Sequence, residues 1–387
     1  MHDKIKVLHV AEAAGGVDRY LKTLFKYLNH ERFETFFACS QNFKVGEYKD
    51  CADYVMQIPM QHDISVKDDL ATINRIRDQI KKYKPDIVYA HSSKAGALTR
   101  MANMGMNNVL VYNPHGWSFN MRCSRRKKNE YILIEKVQTP FTDKIVCISQ
   151  AEKNSAIKRK ICKEDKVRVI ENGIDFAEID YTAKISREKL KIPPNAFVIG
   201  MVGRITDQKA PDVFVKAAEI LKKKIPEAFF IIVGDSLVGQ SDAKEKIQGM
   251  IDQAGLRKSF LITGWVDNPI AYTKQFDVGM LLSRWEGFGL VIPEYMYCGV
   301  PVVATSVDAI PYLINDGEDG LLVSVDDPAS AADAVYRIWH DEILRHRLKE
   351  NGRQKAVQRF DCRRVARDTE KLFIELNGKN KSTSVRT

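Results

Sequence analysis

The chain has 387 residues, an apolar content of 44% and a formal net charge of +10 at pH 7. Its length predicts two domains, and its apolar content is sufficient for two hydrophobic cores. The seven cysteines show no CxxC spacing, which favours reduced thiols in a cytoplasmic protein over a disulfide framework. No apolar run approaches the roughly 18 residues of a membrane-spanning helix. The N-terminus enters a strand at once, so we expect no signal peptide.

Positive charge is concentrated between residues 115 and 170, which hold 14 basic and 6 acidic residues. Two basic runs lie there, at 125–128 and 158–160. One run alone would indicate a solvated face, but two in one segment favour an anionic partner, either nucleic acid or lipid headgroups. No RNP, helix-turn-helix or zinc signature accompanies them, so we expect no nucleic-acid partner.

Strand and helix patterns alternate along the first half of the chain. Residues 4–10 are predicted to form a strand that leads through Gly15 and Gly16 into a helix ending near residue 28. Further strands are predicted at 33–39, 54–58, 87–90, 109–113, 144–148 and 167–170, with helices at 66–83 and 125–137 between them. This alternation predicts a parallel sheet. The dinucleotide fingerprint GxGxxG is absent, which argues against a dehydrogenase.

A second alternating set follows a weaker stretch at 176–195. Its strands are predicted at 197–202, 229–233, 260–263, 277–282, 301–304 and 320–323, and its helices at 210–224, 242–254, 290–298 and 329–339. We therefore predict an α/β protein with a first domain over 1–178, a linker over 179–195 and a second domain over 196–360. A C-terminal helix over 361–377 is predicted to return to the first domain.

The most informative stretch covers residues 277–305. A buried strand, a glycine turn at 287–289 and a helix opening near residue 290 form a ready anion site. Glu286 and Glu294 flank this turn. Carboxylates repel phosphate, but they accept hydrogen bonds from neighbouring hydroxyl groups. The stretch therefore predicts a pocket for a ligand that is both phosphorylated and rich in hydroxyls.

Two cations follow another predicted strand of the second domain. Arg204 and Lys209 come after residues 197–202, at the carboxyl end where ligands bind in such sheets. The two cations could stabilise a leaving diphosphate, because Arg can donate bidentate hydrogen bonds to two oxygens and Lys supplies a point charge. The chain contains no Asp-x-Asp and no His/Cys cluster with metal spacing. We therefore expect the cations to do the work of a metal, and we expect no metal ion and no cofactor.

These features together carry a family resemblance. Seven residues separate Glu286 from Glu294, and the same chain holds Gly203-Arg204 with Lys209, His115-Gly116, Asn172-Gly173-Ile174-Asp175 and Gly15-Gly16. In this pattern it resembles the retaining nucleotide-sugar glycosyltransferases of family 4, and looks closest to bacterial capsule and exopolysaccharide biosynthesis members. The resemblance implies the GT-B fold, two Rossmann-like parallel-sheet domains facing each other across a cleft. Residues 308–312 depart from it, because many members read Gly-Gly-x-Pro-Glu there.

The resemblance also implies roles for the matching residues. The implied catalytic residues are His115, Glu286, Arg204 and Lys209. The implied donor-binding residues are Gly15, Gly16, Asn172, Arg204, Lys209, Glu286, Gly287, Phe288, Gly289, Leu290 and Glu294. Within that set the two cations would bind the diphosphate, Glu286 the sugar and Glu294 the ribose. Acceptor contacts are predicted for four residues at strand ends: His91, Ser93, Lys94 and Trp117.

The implied reaction is a metal-independent sugar transfer from a nucleotide-diphosphate donor, preferentially a UDP-sugar, to a polyprenyl-diphosphate-linked acceptor. A sugar-nucleotide epimerase on the same fold is one alternative, and a transferase with a soluble small-molecule acceptor is another. We expect a cytoplasmic protein held peripherally on the anionic inner face of the cell membrane through 122–128 and 153–160. Of Tyr131, Ile132 and Ile134, we expect at least two to pack in the core rather than enter the headgroup layer.

Overall fold

Two separate parallel β-sheets organise the computed structural model of the protein, which describes residues 4–12, 15–61, 65–236 and 241–384. Each sheet is the centre of one unit of the chain. Unit 1 comprises Met1–Gly173 and Cys362–Thr387, and unit 2 comprises Ile174–Asp361. The predicted α/β class with two Rossmann-like sheets is confirmed.

The N-terminal part of unit 1 alternates strands and helices. They are β1 (Ile5–Ala11), α1 (Gly16–Tyr27), β2 (Phe33–Cys39), β3 (Tyr54–Gln57), α2 (Val66–Tyr83), β4 (Ile87–His91), α3 (Ser93–Ala102), β5 (Val109–Asn113), α4 (Arg125–Gln138), β6 (Lys144–Cys147), α5 (Gln150–Lys158) and β7 (Val167–Val169). The sheet order is β3-β2-β1-β4-β5-β6-β7. Strands β4 and β5 are buried along their whole length, because helices cover both faces of a parallel sheet.

Unit 2 repeats the alternation with six strands. Its elements are α6 (Phe176–Tyr181), β8 (Phe197–Val202), α7 (Pro211–Lys224), β9 (Ala228–Val233), α8 (Ser241–Gln253), β10 (Phe260–Ile262), α9 (Ile270–Thr273), β11 (Val278–Leu281), α10 (Val291–Tyr297), β12 (Val302–Thr305), α11 (Ile310–Leu313), β13 (Leu321–Val323), α12 (Pro328–His340) and α13 (Glu342–Arg359). The sheet order is β10-β9-β8-β11-β12-β13. The strand order reverses between the parallel neighbours β8 and β11, and this is the point where such sheets bind ligands.

The segment predicted as a linker, 179–195, packs on unit 2. Nζ of Lys274 donates hydrogen bonds to the carbonyl oxygens of Ile179 (2.6 Å) and Thr182 (2.7 Å). Ile192 within the same segment is 4% exposed. The chain therefore divides before this segment, after residue 173, rather than within it.

The last helix, α14 (Cys362–Ser384), belongs to unit 1. The ring of Phe373 packs edge-on against Tyr89 of β4 at 5.7 Å between centroids. Oε1 of Glu370 accepts a hydrogen bond from the backbone N–H of Asn29 (2.7 Å). The helix extends beyond the predicted 361–377 and reaches Ser384.

Helix α13 is an addition to the predicted elements. It buries Leu344, Leu348, Gly352 and Ala356, which recur every four residues, and the rest of its surface is mostly charged or polar, with Ile343 and Val357 exposed. A stripe this narrow gives a weak amphipathic signal, which explains why the sequence did not predict the helix. Among the described residues, the search for a helix long and apolar enough to cross a bilayer found none.

Candidate active site

The predicted phosphate-binding and sugar-binding residues of unit 2 meet at the carboxyl edge of its sheet. Lys209 follows β8 and Glu286 follows β11, and Nζ of the lysine lies 2.5 Å from Oε2 of the glutamate. The side chains are 15% and 10% exposed. The hydroxyl of Ser283 donates to the same carboxylate oxygen at 3.2 Å. The structure thus pairs two residues that are 77 positions apart in the sequence.

Arg204, the other predicted cation, leaves β8 with its side chain exposed, and it forms no ion pair with any residue that the structure describes. The turn that carries it touches the end of β9. A Cβ atom at Gly234 would lie 2.0 Å from the carbonyl oxygen of Gly203, so only glycine permits this approach. Sequence reasoning missed Gly234. Its position directly after an apolar strand was the available signal.

Arg284 joins the two loops that carry Lys209 and Glu286. Its guanidinium lies 2.9 Å from Oδ1 of Asp207, 2.7 Å from Oδ2 of Asp212 and 2.6 Å from Oδ1 of Asp326. Its side chain is only 10% exposed. A planar guanidinium can serve three carboxylates at once, whereas an ammonium group has no such fixed fork. Sequence reasoning did not identify Arg284, although Asp207 and Asp212 on either side of Lys209 were visible.

The glycine turn before α10 is shaped by its neighbours. Gly289 has φ +88°, and a Cβ atom there would lie 3.1 Å from Cδ2 of Leu281. The backbone N–H of Glu286 donates to Oδ2 of Asp308 at 2.9 Å. Asp308 opens the segment that departs from the family pattern, so this departure bears directly on the position of Glu286.

Two of the remaining predicted donor residues of unit 2, Phe288 and Glu294, lie deeper than the ion pair. Phe288 is 2% exposed and packs against Phe360, and Glu294 on α10 is 1% exposed. Gly287 and Leu290 complete the turn between them and are partly buried. Helix α10 is fixed to β8 because the backbone N–H of Val202 donates to the hydroxyl of Tyr295 at 2.8 Å.

In unit 1, His115 occupies a strained turn after β5. Its φ of +51° is unusual for a non-glycine residue, and Gly116 follows with φ +112°. The backbone N–H of His115 donates to Oδ1 of Asn113 at 3.0 Å, and the ring packs edge-on against Tyr20. The turn therefore places His115, a partly exposed residue, at the carboxyl edge of the sheet.

His115 is connected to two further histidines. Its Nε2 lies 3.0 Å from Nδ1 of His91, and Nε2 of His91 lies 3.1 Å from Nδ1 of His9. Burial lowers the pKa of His9 and of His115 to about 3. Burial, with the neighbouring His115 and His9, also lowers the pKa of His91 well below its usual range. All three rings are therefore neutral at physiological pH.

The four predicted acceptor residues are engaged inside unit 1. His91 is 0% and Trp117 1% exposed, and the indole Nε1 of Trp117 donates to the carbonyl of Glu152 at 3.0 Å. The hydroxyl of Ser118 donates to that of Ser93 at 2.8 Å. Lys94 is 11% exposed and pairs with Asp69 at 2.6 Å. His91 and Trp117 thus lie in the core of unit 1, and the acceptor contact predicted for them stays a prediction.

Sequence reasoning missed Glu152, a buried residue in the first turn of α5. Its Oε2 accepts a hydrogen bond from the backbone N–H of Ile148 at 2.9 Å, and its own N–H donates to Oγ of Ser149 at 3.2 Å. Burial raises the pKa of its carboxyl to about 8, against the opposing effect of the backbone N–H groups of Ile148 and Gly116. The Ser-x-x-Glu spacing of a capping box was the available signal.

The other predicted residues of unit 1 occupy turns. Gly15 precedes α1 with φ +84°, which favours glycine, and Gly16 begins the helix. Residues 13 and 14 of this loop lie outside the described residues. Asn172 is 5% exposed, and its Oδ1 has no hydrogen-bond partner among the residues described. Within those residues, the search for groups of three or more His, Cys, Asp or Glu that could hold a metal found none.

The basic run of α4 continues into exposed apolar side chains. Residues 125–127 are exposed, and Leu133, Ile134, Val137 and Phe141 are 62%, 38%, 60% and 45% exposed. Tyr131 and Ile132 instead pack against the core, so the expectation that at least two of the three apolar candidates are core residues is confirmed. We call residues 125–128 with the four exposed apolar side chains the α4 surface.

Comparison with known proteins covers nearly the whole chain. Residues 14–178 match the family described as Glycosyltransferase Family 4, and residues 182–355 match Glycosyl transferases group 1. An Escherichia coli relative, UDP-Gal:alpha-D-GlcNAc-diphosphoundecaprenol alpha-1,3-galactosyltransferase, is 29% identical, with 97% of this chain and 98% of the relative covered. An uncharacterized 41.2 kDa protein in the cps region of Klebsiella pneumoniae is 31% identical over 92% of this chain and 96% of its own.

A solved structure of Anabaena Alr3699/HepE in complex with UDP-glucose has the same fold. It superposes with a TM-score of 0.82 at 21% identity, covering 96% of this chain and all of the other. The fold, the two family matches and the full-length relatives agree with one another. The protein belongs to the family 4 glycosyltransferases and has their GT-B fold.

Proposed function

We propose that the protein is a retaining, metal-independent glycosyltransferase that transfers a sugar from a UDP-sugar to a polyprenyl-diphosphate-linked saccharide in bacterial polysaccharide biosynthesis. The observation that carries the proposal is the pair formed by Lys209 and Glu286 at the carboxyl edge of the unit 2 sheet. The pair places a cation for a diphosphate beside a carboxylate for sugar hydroxyls. The UDP-glucose bound to the Anabaena protein and the printed activity of the Escherichia coli relative support the choice of donor and acceptor.

In the proposed reaction, Lys209 and Arg204 stabilise the departing diphosphate. The bond between the anomeric carbon and the diphosphate oxygen breaks, and the acceptor oxygen bonds to that carbon on the same face. The acceptor proton passes to the departing diphosphate. Glu286 holds a sugar hydroxyl and Glu294 the ribose, while His115 of unit 1 contacts the transferred sugar. Each charge-assisted contact that strengthens in the transition state contributes roughly 3–4 kcal/mol.

We also propose that the α4 surface docks on the anionic inner face of the cell membrane, where such an acceptor is anchored. Lipid headgroups attract each nearby Lys or Arg by about 1 kcal/mol. The exposed side chains of Leu133 and Val137 lie one helical turn apart, so both can enter the headgroup layer together. The predicted docking segment 153–160 contributes less, because Lys153 pairs with Glu164 and Arg159 covers the ring of Phe119.

The test is a transfer assay with UDP-, GDP- and dTDP-linked sugars and a polyprenyl-diphosphate-linked monosaccharide as acceptor. We expect transfer only from a UDP-sugar, unchanged by EDTA, with the anomeric configuration of the product equal to that of the donor. Lys209→Ala should lower turnover by roughly 10²-fold, while Lys223→Ala on the exposed face of α7 should not. Loss of activity in EDTA with recovery in Mg²⁺ contradicts metal independence. Transfer to soluble saccharides alone contradicts the lipid-linked acceptor, and epimerised nucleotide sugar without transfer contradicts the whole assignment.

A further inference from the structure

Three hydrogen-bonded imidazoles run from the core of unit 1 to its carboxyl edge. The nitrogen-to-nitrogen distances are 3.1 Å between His9 and His91 and 3.0 Å between His91 and His115. The rings of His9 and His91 are within 9° of parallel. Both are completely buried, whereas His115 is partly exposed. The row of hydrogen-bonded histidines thus has one end buried in the core, at His9, and one end that is partly exposed, at His115.

The protons in this row can be counted. A neutral imidazole carries one N–H and one acceptor nitrogen. Both nitrogens of His91 are engaged, so it must donate to one neighbour and accept from the other. Only two arrangements satisfy this condition: every ring donates outward toward His115, or every ring donates inward toward His9.

The buried end decides between the two arrangements. Nε2 of His9 is buried and has no hydrogen-bond partner among the described residues. The ring lies among aromatic side chains, 4.8 Å from Phe25 and 6.2 Å from Phe373 between centroids. The inward arrangement would place an unpaired N–H there, and the outward arrangement leaves only an acceptor lone pair. Buried unpaired N–H groups are the rarer of the two, which favours the outward arrangement.

We propose that His9 and His91 are positioning residues that hold His115 as the Nδ1–H tautomer, so that it presents a fixed hydrogen-bond donor to an oxygen of the sugar donor substrate. The identity of that substrate rests on the proposed function. A neutral histidine side chain in water prefers the Nε2–H tautomer, so the relay imposes the less common form. His115 then has no lone pair for a proton: Nε2 accepts from His91, and Nδ1 is protonated. It is a hydrogen-bond donor and not a general base.

The tautomer can be read directly from the full-length protein by long-range ¹H–¹⁵N correlation spectra with ¹⁵N-labelled histidine. Assignment uses the loss of signals in His115→Gln and His9→Gln. We expect His115 and His91 both as Nδ1–H, and His91→Phe should return His115 to Nε2–H. His346→Gln, which removes an exposed histidine of α13, should leave the His115 signals in place. An Nε2–H signal for His115 in the wild type overturns the proposal, even if His91→Phe does not fold.

Kinetics supply the functional part of the test. His91→Gln keeps a donor and an acceptor in one side chain and should retain most of the wild-type kcat/KM. His91→Phe should lower kcat/KM by about 10-fold or more. Complete removal of a hydrogen-bond donor to the substrate lowers it by roughly 10²-fold, which sets the upper end of the expected loss. Equal losses in both variants contradict the relay, as does a pH profile of kcat/KM that requires a neutral histidine base. Since the spectra need no substrate, the relay can fail while transfer from UDP-sugar stands. The reverse also holds, because absence of transfer with the expected tautomer rejects only the proposed function.

Discussion

Nζ of Lys209 lies 2.5 Å from Oε2 of Glu286, so the cation proposed for the donor diphosphate is already neutralised by a carboxylate. On the proposed function, a diphosphate oxygen replaces that carboxylate as the partner of Lys209, and the carboxylate is released to accept hydrogen bonds from the sugar. We therefore propose that the two residues act as a pair whose partners are exchanged on binding.

This exchange predicts opposite effects on binding and on transfer. Glu286→Gln removes the competing negative charge, so we expect UDP to bind at least as tightly as to the wild type. Sugar transfer should still fall by roughly 10²-fold. Isothermal titration with UDP and turnover measurements separate the two effects. Glu219→Gln, an exposed change on α7, serves as the matched control, and weaker UDP binding in Glu286→Gln would contradict the exchange.

Arg284→Lys tests whether the guanidinium organises the loops of the pair. The ammonium group keeps the charge but cannot serve Asp207, Asp212 and Asp326 together. Two of these carboxylates are more than 40% exposed, so we expect unit 2 to lose only about 1–2 kcal/mol of stability. Hydrogen exchange should become faster in both loops, at 204–210 and 283–290. Exchange changed in only one loop would show that Arg284 does not couple them.

Replacing Glu152 by Gln should change how the free energy of unfolding depends on pH, in a definite direction. Burial raises the carboxyl pKa in the folded state from 4.5 to about 8, so the folded protein keeps a proton that the unfolded chain has released. The wild type therefore loses stability as the pH rises from 4.5 to about 8. Gln cannot ionise, so the stability of the variant relative to the wild type should grow over the same range, by about 1–3 kcal/mol.

The measurement is the free energy of unfolding in urea at pH 5 and pH 8.5, with hydrogen exchange in unit 1 as the readout. The lowered pKa values of His9 and His115 make the stability of both proteins fall as the pH decreases from 6.5 toward 3, which is the opposite direction. Because the variant keeps these histidines, their contribution cancels in the difference between the variant and the wild type at each pH. A constant difference between the variant and the wild type would show that Glu152 has an ordinary pKa.

If the α4 surface docks on membranes, binding to vesicles should depend both on salt concentration and on its exposed apolar side chains. Charge reversal of residues 125–128 to Glu should abolish flotation with phosphatidylglycerol-containing vesicles at low salt. The double change Leu133→Gln and Val137→Gln should leave partial flotation at low salt and none at high salt. Ile343→Gln on α13, which is 80% exposed, is the control. A wild-type protein that fails to float on strongly anionic vesicles at low salt would refute membrane docking.

The strands, and the placement of Lys209 and Glu286 at one edge of the sheet, were accessible from sequence for physical reasons, although their ion pair was not predicted. Strands buried on both faces read as apolar runs, and polar residues directly after them must lie at the carboxyl edge of the sheet. Arg284 was not accessible, because its three carboxylates come from separate loops. The histidine relay also needed the strand register, in which His91 pairs with Ala11 and so comes beside His9. The burial of Trp117 was not accessible either, because an aromatic residue after a strand end can face either the edge or the core.

Unit 1 contains the N-terminal and the C-terminal parts of the chain, and unit 2 lies between them in the sequence. The two parts are in contact, because Phe373 of α14 packs beside His9 of β1. During synthesis, the ribosome therefore completes all of unit 2 before α14 emerges. Domains usually become foldable in the order of translation, N-terminal first. In this protein the order is inverted: the unit that begins first finishes last, and the apolar face beneath α14 remains uncovered until then. A chaperone that binds nascent apolar surface would find its target on β1 and β4, beside the histidines, until the last helix arrives.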